Sequence, residues 1–428
     1  GGDWGDRSDS LSFCMDGLVY PDRTPGTGLL EYKNVLRPVR LLERRGRTFT
    51  FRNCLDFTDL SGKIGIEYEI LSDGEVLKEG GFYELHAAPH ETFRITLPDR
   101  LPEQERTSVI FTYVSLDAKN DYVPEVLGYD QALLFKKESG PVLTSQKAPR
   151  ILKNGRDIVI TGDTFRYVYD RKKAAFTSLV KDQKAYIEGP LSINIWRAPT
   201  DNDMGACREW TRAGYDRMQV RVYETKTACR RSFAVIESRL GLGASAVQKF
   251  AEVTLKIRIA DNGAISLQLT GDRLQIMPYF PRFGLRLIAD EAFSFVSYYG
   301  YGPYESYIDK HQSSVLERFD DTVEGMHEDY LMPQENGSHW GTREAVLSDG
   351  KDRMIRICGE PFSFSASYYT PEELTKKKHA FELERSGHTI LLIDGEMAGI
   401  GSNSCGPFLM EKYQTPEHMT MDIVIDLE

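Results

Sequence analysis

Carboxylates are the first residues of this chain whose type and spacing could do chemistry. Asp9, the Phe13 backbone carbonyl and Asp16 place three oxygen donors within eight residues of an Asp- and Gly-rich opening. Hard donors of this kind suit an alkali or alkaline-earth cation, although aspartates in such a loop also serve simply to make turns. A second acidic run, Asp201-Asn202-Asp203, invites a calcium reading. It lacks the other positions of an EF-hand loop and the distant Glu, so turn and capping duties are expected of it. Three glutamates, Glu305, Glu335 and Glu344, stand beside Gly or Arg in GPYESY, PQENG and GTRE. Carboxylates in that setting cap backbone N–H groups or pair with a guanidinium, here Arg343. His339, four residues after Glu335, completes an acid and base pair on paper, but a core or turn histidine is the plainer expectation.

The elements that must position these groups read as strands. Runs at 47–55, 63–71, 81–85, 92–97 and 108–116 alternate β-branched or aromatic residues with polar ones between Asp, Gly and Pro breaks, the period of half-buried strands. Asp73-Gly74, flanked by two such runs, is a hairpin signal. Strands at this spacing predict an immunoglobulin-like β-sandwich over 30–136. The following KKESGPVLTSQKAPR has no strand period and predicts a linker over 137–150. Beyond it, DIVITGD, FRYVYDRKKAAFTSLV, VTLKIRIADNGAISLQLTGD and HTILLIDGEMAGIG resume the alternation, with turns expected at 261–263 and at Asp394-Gly395. Helical patches are confined to 208–216 and 370–377, the second with Thr370 as N-cap and Pro371 in the first turn. The fold class expected is all-β, with a large antiparallel two-sheet domain over 151–428.

At 428 residues the chain exceeds a single core, so two or three domains are expected. Its 64 acidic against 53 basic residues, net charge −11, argue against a nucleic-acid partner, which clustered Lys and Arg would hold. No run of roughly 18 apolar residues points to a membrane helix. Cys14, Cys54, Cys207, Cys229, Cys358 and Cys405 lack zinc or redox spacing and are expected to be buried free thiols. The opening shows neither an initiator Met nor a signal peptide and reads as the tail of a preceding domain.

Several long motifs carry a resemblance. GGDWGD, FCMDGLV and PDRTP before GLLEYKNVLRPVR, then APTDNDMG (198–205), GYGPYESYIDK (300–310), PQENGSHWGTRE (333–344) and GIGSNSCGP (399–407) resemble, in order, the large lacZ-type bacterial β-galactosidases of glycoside hydrolase family 2. The resemblance implies that residues 1–29 are the last loop of a catalytic TIM barrel. It also makes 151–428 the family's small-chain supersandwich, similar in fold to galactose mutarotases. The implied reaction is retaining hydrolysis of terminal β-D-galactosides, which needs two carboxyl groups about 5 Å apart. Both family glutamates lie upstream of this opening, so the chain alone is expected to be inactive. It would supply part of the active-site wall and a scaffold for a homo-oligomer.

By the same resemblance the Phe13 carbonyl and Asp16 bind Na+, the Phe13 ring lies near the sugar, and Asp9 belongs to a Mg2+-linked water network; the family has Asn at the position of Asp16. Gly205 opens a mobile loop at the mouth and would serve as a hinge, using the positive φ that Gly permits. Cys405 stands where the family has a Trp that stacks on the aglycone, so the acceptor subsite would differ. Trp196, Trp210 and Trp340 are further possible sugar platforms, with core packing the commoner role. The partners implied are a β-galactoside or oligosaccharide and the N-terminal barrel. The alternatives are a separate small subunit of a two-chain enzyme, or a carbohydrate-binding or mutarotase-like module.

Overall fold

The computed structural model describes residues 18–98, 100–102, 104–116, 125–134, 143–401 and 406–428. Asp9, Phe13, Asp16 and Cys405 therefore lie outside the described residues. The chain divides into two compact units, Gly1–Ser139 with Gln312–Arg318, and Gly140–His311 with Phe319–Glu428. Both are built from antiparallel strands, as the period-two patterning requires.

The first unit contains α1 (Thr27–Val35) and seven strands: β1 (Val39–Arg45), β2 (Thr48–Asn53), β3 (Ile64–Ser72), β4 (Glu75–Phe82), β5 (Thr92–Thr96), β6 (Thr107–Ser115) and β7 (Val126–Leu133). They form a three-stranded sheet, β1-β2-β5, and a four-stranded sheet, β4-β3-β6-β7, the two-sheet immunoglobulin-like arrangement. Inward positions of both sheets interlock: Phe111 on β6 meets Phe49 and Phe51 on β2 with centroids 4.8 and 5.0 Å apart, edge to face. Asp73 and Gly74 join β3 to β4 with φ of 50° and 87°, the positive pair that a tight hairpin turn demands. The partner strand starts at once after that turn, at Glu75, so the strand expected at 81–85 is replaced by 75–82. No residue of the edge strand β4 is buried, so no alternation of buried and exposed positions marks it.

A buried polar anchor ties this unit together. Asp130 on β7 accepts from Arg37 Nη2 at 2.7 Å, Arg37 Nε at 3.1 Å, Tyr113 Oη at 2.6 Å and the Leu41 backbone N–H at 2.8 Å. Asn34, the buried end of α1, donates to the Tyr129 and Gln312 carbonyls and accepts from the Tyr129 N–H. Glu31 accepts the N–H groups of Gln312 and Ser313. Segment 312–318 thus belongs to this unit through side-chain to backbone bonds that no local pattern announces. Leu316 and Gln131 exchange a further pair.

In the second unit β8 (Arg150–Asn154), β9 (Asp157–Thr161), β10 (Phe165–Asp170), β11 (Ala175–Lys181) and β12 (Lys184–Ala185) form a five-stranded sheet in the order β12-β11-β10-β9-β8. A twelve-stranded sheet follows from β13 (Ser192–Asn194), β14 (Gln219–Arg230), β15 (Phe233–Gly243), β16 (Ala251–Ile259), β17 (Ile265–Arg273), β18 (Arg282–Asp290), β19 (Phe295–Gly302), β20 (Val315–Thr322, of which the residues from Phe319 on belong to this unit), β21 (His339–Ser348), β22 (Met354–Ser367), β23 (His388–Met397) and β24 (His418–Leu427). Its main path is β13-β18-β23-β22-β24-β17-β16-β15-β14, with β21 pairing β22 and β19 pairing β21. On β16 every second residue from Ala251 to Ile259 is buried, and β24 alternates likewise from Met419 to Leu427. One face therefore makes core, with Leu255 opposite Leu269 and Ile257 opposite Leu267 on β17.

Helices are few. α2 (Met204–Ala213) and α3 (Pro371–Lys376) sit in connections, and the Thr370 hydroxyl accepts the Glu373 N–H at 3.1 Å as the cap signal requires. Ser145 to Lys147, inside the stretch read as linker, are held by Asp261, whose carboxylate accepts the Gln146 and Lys147 N–H groups. Replacing Asp130 by Ala would strand the Arg37 guanidinium, which is 8% exposed. The expected loss is about 3 kcal/mol or more, read as a lower urea midpoint for the first unit.

Candidate functional site

Two arginines with no exposed surface organise the end of the second unit that carries APTDNDMG, PQENG and GIG. Arg282 opens β18 and puts Nη2 2.9 Å from Glu335 Oε1 and 3.0 Å from Asp394 Oδ2. Arg197 binds Asp203 at 2.8 and 3.0 Å, donates to Gly399 O at 3.0 Å and also reaches Ala398 O. A charge buried at this depth is tolerated only when paired. Each pair therefore pins one connection to another: residues 197–203 to 398–399, and the Glu335 loop to β18 and β23.

The Asp394-Gly395 turn expected from sequence does not exist; both residues lie inside β23. The β18–β23 register slips between Phe283 and Gly284, so that Phe283 faces Glu396 while Gly284 faces Asp394. Gly395 is the extra residue of that bulge. Space forbids any side chain there: a Cβ on Gly395 would meet Thr420 O at 2.3 Å, and one on Gly284 would meet Ile393 O at 2.0 Å. Burial pushes the Asp394 carboxyl up to about 7, against the pull of Arg282, with Glu335 adding repulsion. Asp394 and Glu335 together keep Arg282 charged despite desolvation.

A second layer of contacts fixes the rim. Asp203 caps the Thr200 N–H at 2.9 Å. Asp201 and Gln334 exchange bonds at 3.1 and 3.2 Å, and Asn202 Nδ2 donates to Ile400 O at 2.8 Å. Asp309 accepts the Ile400 and Gly401 N–H groups at 3.0 and 2.8 Å. A Cβ at Gly399 would lie 2.4 Å from Asp309 Oδ2, so glycine is required for that approach. All three residues of the DND run are spoken for by turn and capping bonds, and among the described residues no group of three or more His, Cys, Asp or Glu could hold a metal ion.

Glu305 accepts from Lys310 Nζ at 2.6 Å, Tyr307 Oη and the Gly337 N–H at 3.1 Å, and from the Tyr330 hydroxyl. Glu344 takes Arg356 on β22 as an ion-pair partner. His339 gives its Nδ1 to the Tyr301 carbonyl at 3.0 Å and packs against Tyr298 with the rings tilted and their centroids 4.3 Å apart. Burial pushes its pKa down to about 4. Glu335 and His339 are therefore engaged by different partners and do not form an acid and base pair.

Comparison with known proteins decides the family. The family model for the beta galactosidase small chain matches residues 161–425, that for beta-galactosidase domain 4 matches 49–125, and that for the TIM barrel domain of glycosyl hydrolases family 2 matches 1–41. The chain belongs to the β-galactosidase family. A β-galactosidase of Actinobacillus pleuropneumoniae is 38% identical over all of this chain and 42% of its own length. One of Staphylococcus xylosus is 32% identical over 97% of this chain and again 42% of its own. The chain thus spans about two-fifths of the length of these relatives. Among solved structures, a putative aldose 1-epimerase of Escherichia coli K12 aligns over 63% of this chain and 98% of its own at a TM-score of 0.35 and 8% identity, a likeness too low to add weight.

Within this member of the family, the sequence-derived candidates divide. Gly205 stands second in α2 in helical conformation; the left-handed glycine of that helix is Gly214 at its far end, φ 89°. Gly205 is helical here because Met204 to Ala213 continue the turn that Asp203 begins. Trp196 and Trp210 are buried, Trp196 donating to Thr375 Oγ1 and Trp210 lying under the Arg197 guanidinium. Trp340 stacks on His311 at 4.5 Å. Of the described cysteines, none in a disulfide, Cys54, Cys207 and Cys358 are half-buried and Cys229 is exposed, shallower than expected, since each lies near a strand or helix surface. Sequence reasoning missed Arg197, Arg282, Asp309 and Asp394. An Asp inside the apolar run HTILLID was the available signal, since a buried acid needs a buried cation.

Two buried groups shape the pH response of stability in opposite directions. Asp394 has a raised folded pKa, so its contribution is full below about pH 4 and is lost as pH rises through about 7. His339 has a depressed one, so its contribution is present above about 6.5 and is lost as pH falls toward 4. Thermal melts should show Asp394→Asn flattening the alkaline limb and His339→Phe flattening the acid limb. Limbs that coincide with those of the unaltered chain would contradict both assignments.

Proposed function

We infer that this chain is the non-catalytic C-terminal part of a β-galactosidase, completing the wall of the sugar site and serving as scaffold, while the catalytic glutamates come from the barrel upstream. The observation that carries this reading is the order of the matches: TIM barrel, domain 4 and small chain lie along one chain in succession. The barrel match at the start also weighs against a separate small subunit. The motif carboxylates support it, since Glu305, Glu335 and Glu344 are each held by a cation and none is left as a nucleophile.

In this reading the plate formed by 197–203, Asp309 and 398–401 holds the start of α2, with Gly205, beside the substrate, and Cys405, outside the described residues, belongs to the acceptor subsite by resemblance. Cys405 in place of an aromatic side chain offers a sugar face less apolar area. The disaccharide acceptor then rests less on stacking and more on loop placement. Asp9, Asp16 and the Phe13 carbonyl are oxygen donors of the hardness that Na+ or Mg2+ prefers, and Phe13 would flank the galactose. When bound, such cations supply fixed positive charge near the sugar hydroxyls. The partners proposed are a β-galactoside or oligosaccharide, the upstream barrel and further copies of the same protein.

An aryl β-galactoside assay of this chain beside the full-length protein tests the reading. Turnover by the longer protein alone is expected; turnover by this chain alone would overturn it. In the longer protein, Asp309→Ala frees the Ile400 and Gly401 N–H groups. Its KM for a disaccharide galactoside should rise about tenfold, the effect of roughly one hydrogen bond of positioning energy, with a smaller change for the aryl substrate.

A further inference from the structure

A groove of about 940 Å³ runs along β14, the last strand on the path of the twelve-stranded sheet, and shares no residue with the plate described above. Its lining includes Arg171, Lys172, Arg221, Tyr223 and Lys249. The β14–β15 register slips between Val222 and Glu224, which face Leu240 and Arg239, so Tyr223 is the extra residue of a bulge. Bulges at sheet edges re-aim side chains. Here the ring is laid across Gly241, where a Cβ would come within 2.4 Å of the Tyr223 hydroxyl. The ring remains 43% exposed.

Three cations surround it. The guanidinium carbons of Arg221 and Arg239 lie 5.8 and 5.9 Å from the ring centroid, and Lys249 Nζ lies 5.9 Å away. Lys249 is paired with Glu252, and Glu224, the carboxylate in the lining, is paired with Lys226 at 3.1 Å. The side chains of Arg171, Lys172, Arg221 and Arg239 have no hydrogen bond or ion pair among the described residues. In a chain of net charge −11, two unpaired guanidinium groups and a lysine thus gather about one exposed ring. Charge and a bulge would suffice to keep an edge strand from pairing. The ring, the glycine beneath it and the groove are not needed for that purpose.

We propose that this groove binds an oligosaccharide carrying carboxylate groups, with a sugar face on Tyr223 and the acids on Arg221, Arg239 and the Arg171-Lys172 turn. Unpaired guanidinium groups select an anion, and an exposed aromatic face selects a ring with apolar C–H surface. A nucleic acid fits less well, because one ring does not provide the succession of stacking platforms that single strands use. The carbohydrate class rests on the β-galactosidase reading; the anion preference does not.

Calorimetric titration of the chain with trigalacturonate, galactotriose and an octathymidylate, at about 50 mM salt where screening is modest, tests the assignment. Trigalacturonate is expected to bind more tightly than the neutral trimer, and the Arg221→Ser/Arg239→Ser double variant should weaken it about tenfold or more, as loss of two charge-assisted contacts implies. Arg171→Ser/Lys172→Ser, on a turn outside the ladder, repeats the test should the first pair disturb folding. No binding at millimolar trigalacturonate, equal affinity for galactotriose, unchanged affinity in the folded variants, or tighter binding of the oligonucleotide would each overturn the proposal. Aryl galactoside turnover by the longer protein reads the β-galactosidase assignment separately, so that the two can fail independently.

Discussion

The pairing of two fully buried arginines is the constraint on which the rim of the second unit depends. Neither Arg197 nor Arg282 has any exposed surface, so neither can be solvated by water. Each must find carboxylates and carbonyls at fixed distance, and those partners sit on segments far apart in sequence: Asp203, Glu335, Asp394 and the 398–399 carbonyls. Breaking one pair would leave an uncompensated charge, a cost of several kcal/mol. The connections are thus held in register by electrostatics rather than by apolar packing, which is what loops lacking a hydrophobic face of their own require.

Close packing enforces the same geometry from the other side. Gly284, Gly395 and Gly399 stand where a single added carbon would collide with backbone or with Asp309. The bulge at Gly395 turns Asp394 toward Arg282, and Gly399 lets two successive N–H groups close on Asp309. These positions exchange side-chain volume for proximity. The result is a plate of polar contacts that fixes residues 197–203 and 398–401 against each other.

The first unit uses the same device at smaller scale. Asp130, itself 13% exposed, gathers Arg37, Tyr113 and the Leu41 N–H, and Asn34 reads the edge of β7 and segment 312–318 through both ends of its amide. In both units a buried acid or amide, not a run of hydrophobic residues, marks the place where a connection is attached to a sheet.

Much of the fold was legible in the residues alone. Alternation in VTLKIRIADNGAISLQLTGD is strand, turn and strand because one sheet face meets the core, and β16, the 261–263 turn and β17 follow. Asp73-Gly74 is a hairpin because two positive φ values suit those residues, and Thr370-Pro371 starts a helix because its hydroxyl satisfies an orphan N–H. Family membership was legible too, since long motifs record many positions at once. What local pattern could not reveal are contacts between residues a hundred or more positions apart. Asp394-Gly395 looks like a turn until Arg282 claims the acid and Thr420 crowds the glycine. Segment 312–318 looks like an ordinary connection until Asn34 and Glu31 take up its backbone. Local propensity is a sum over neighbours in sequence and so determined the strands, turns and caps; the pairing of buried charges depends on neighbours in space, and only the tertiary structure decided it.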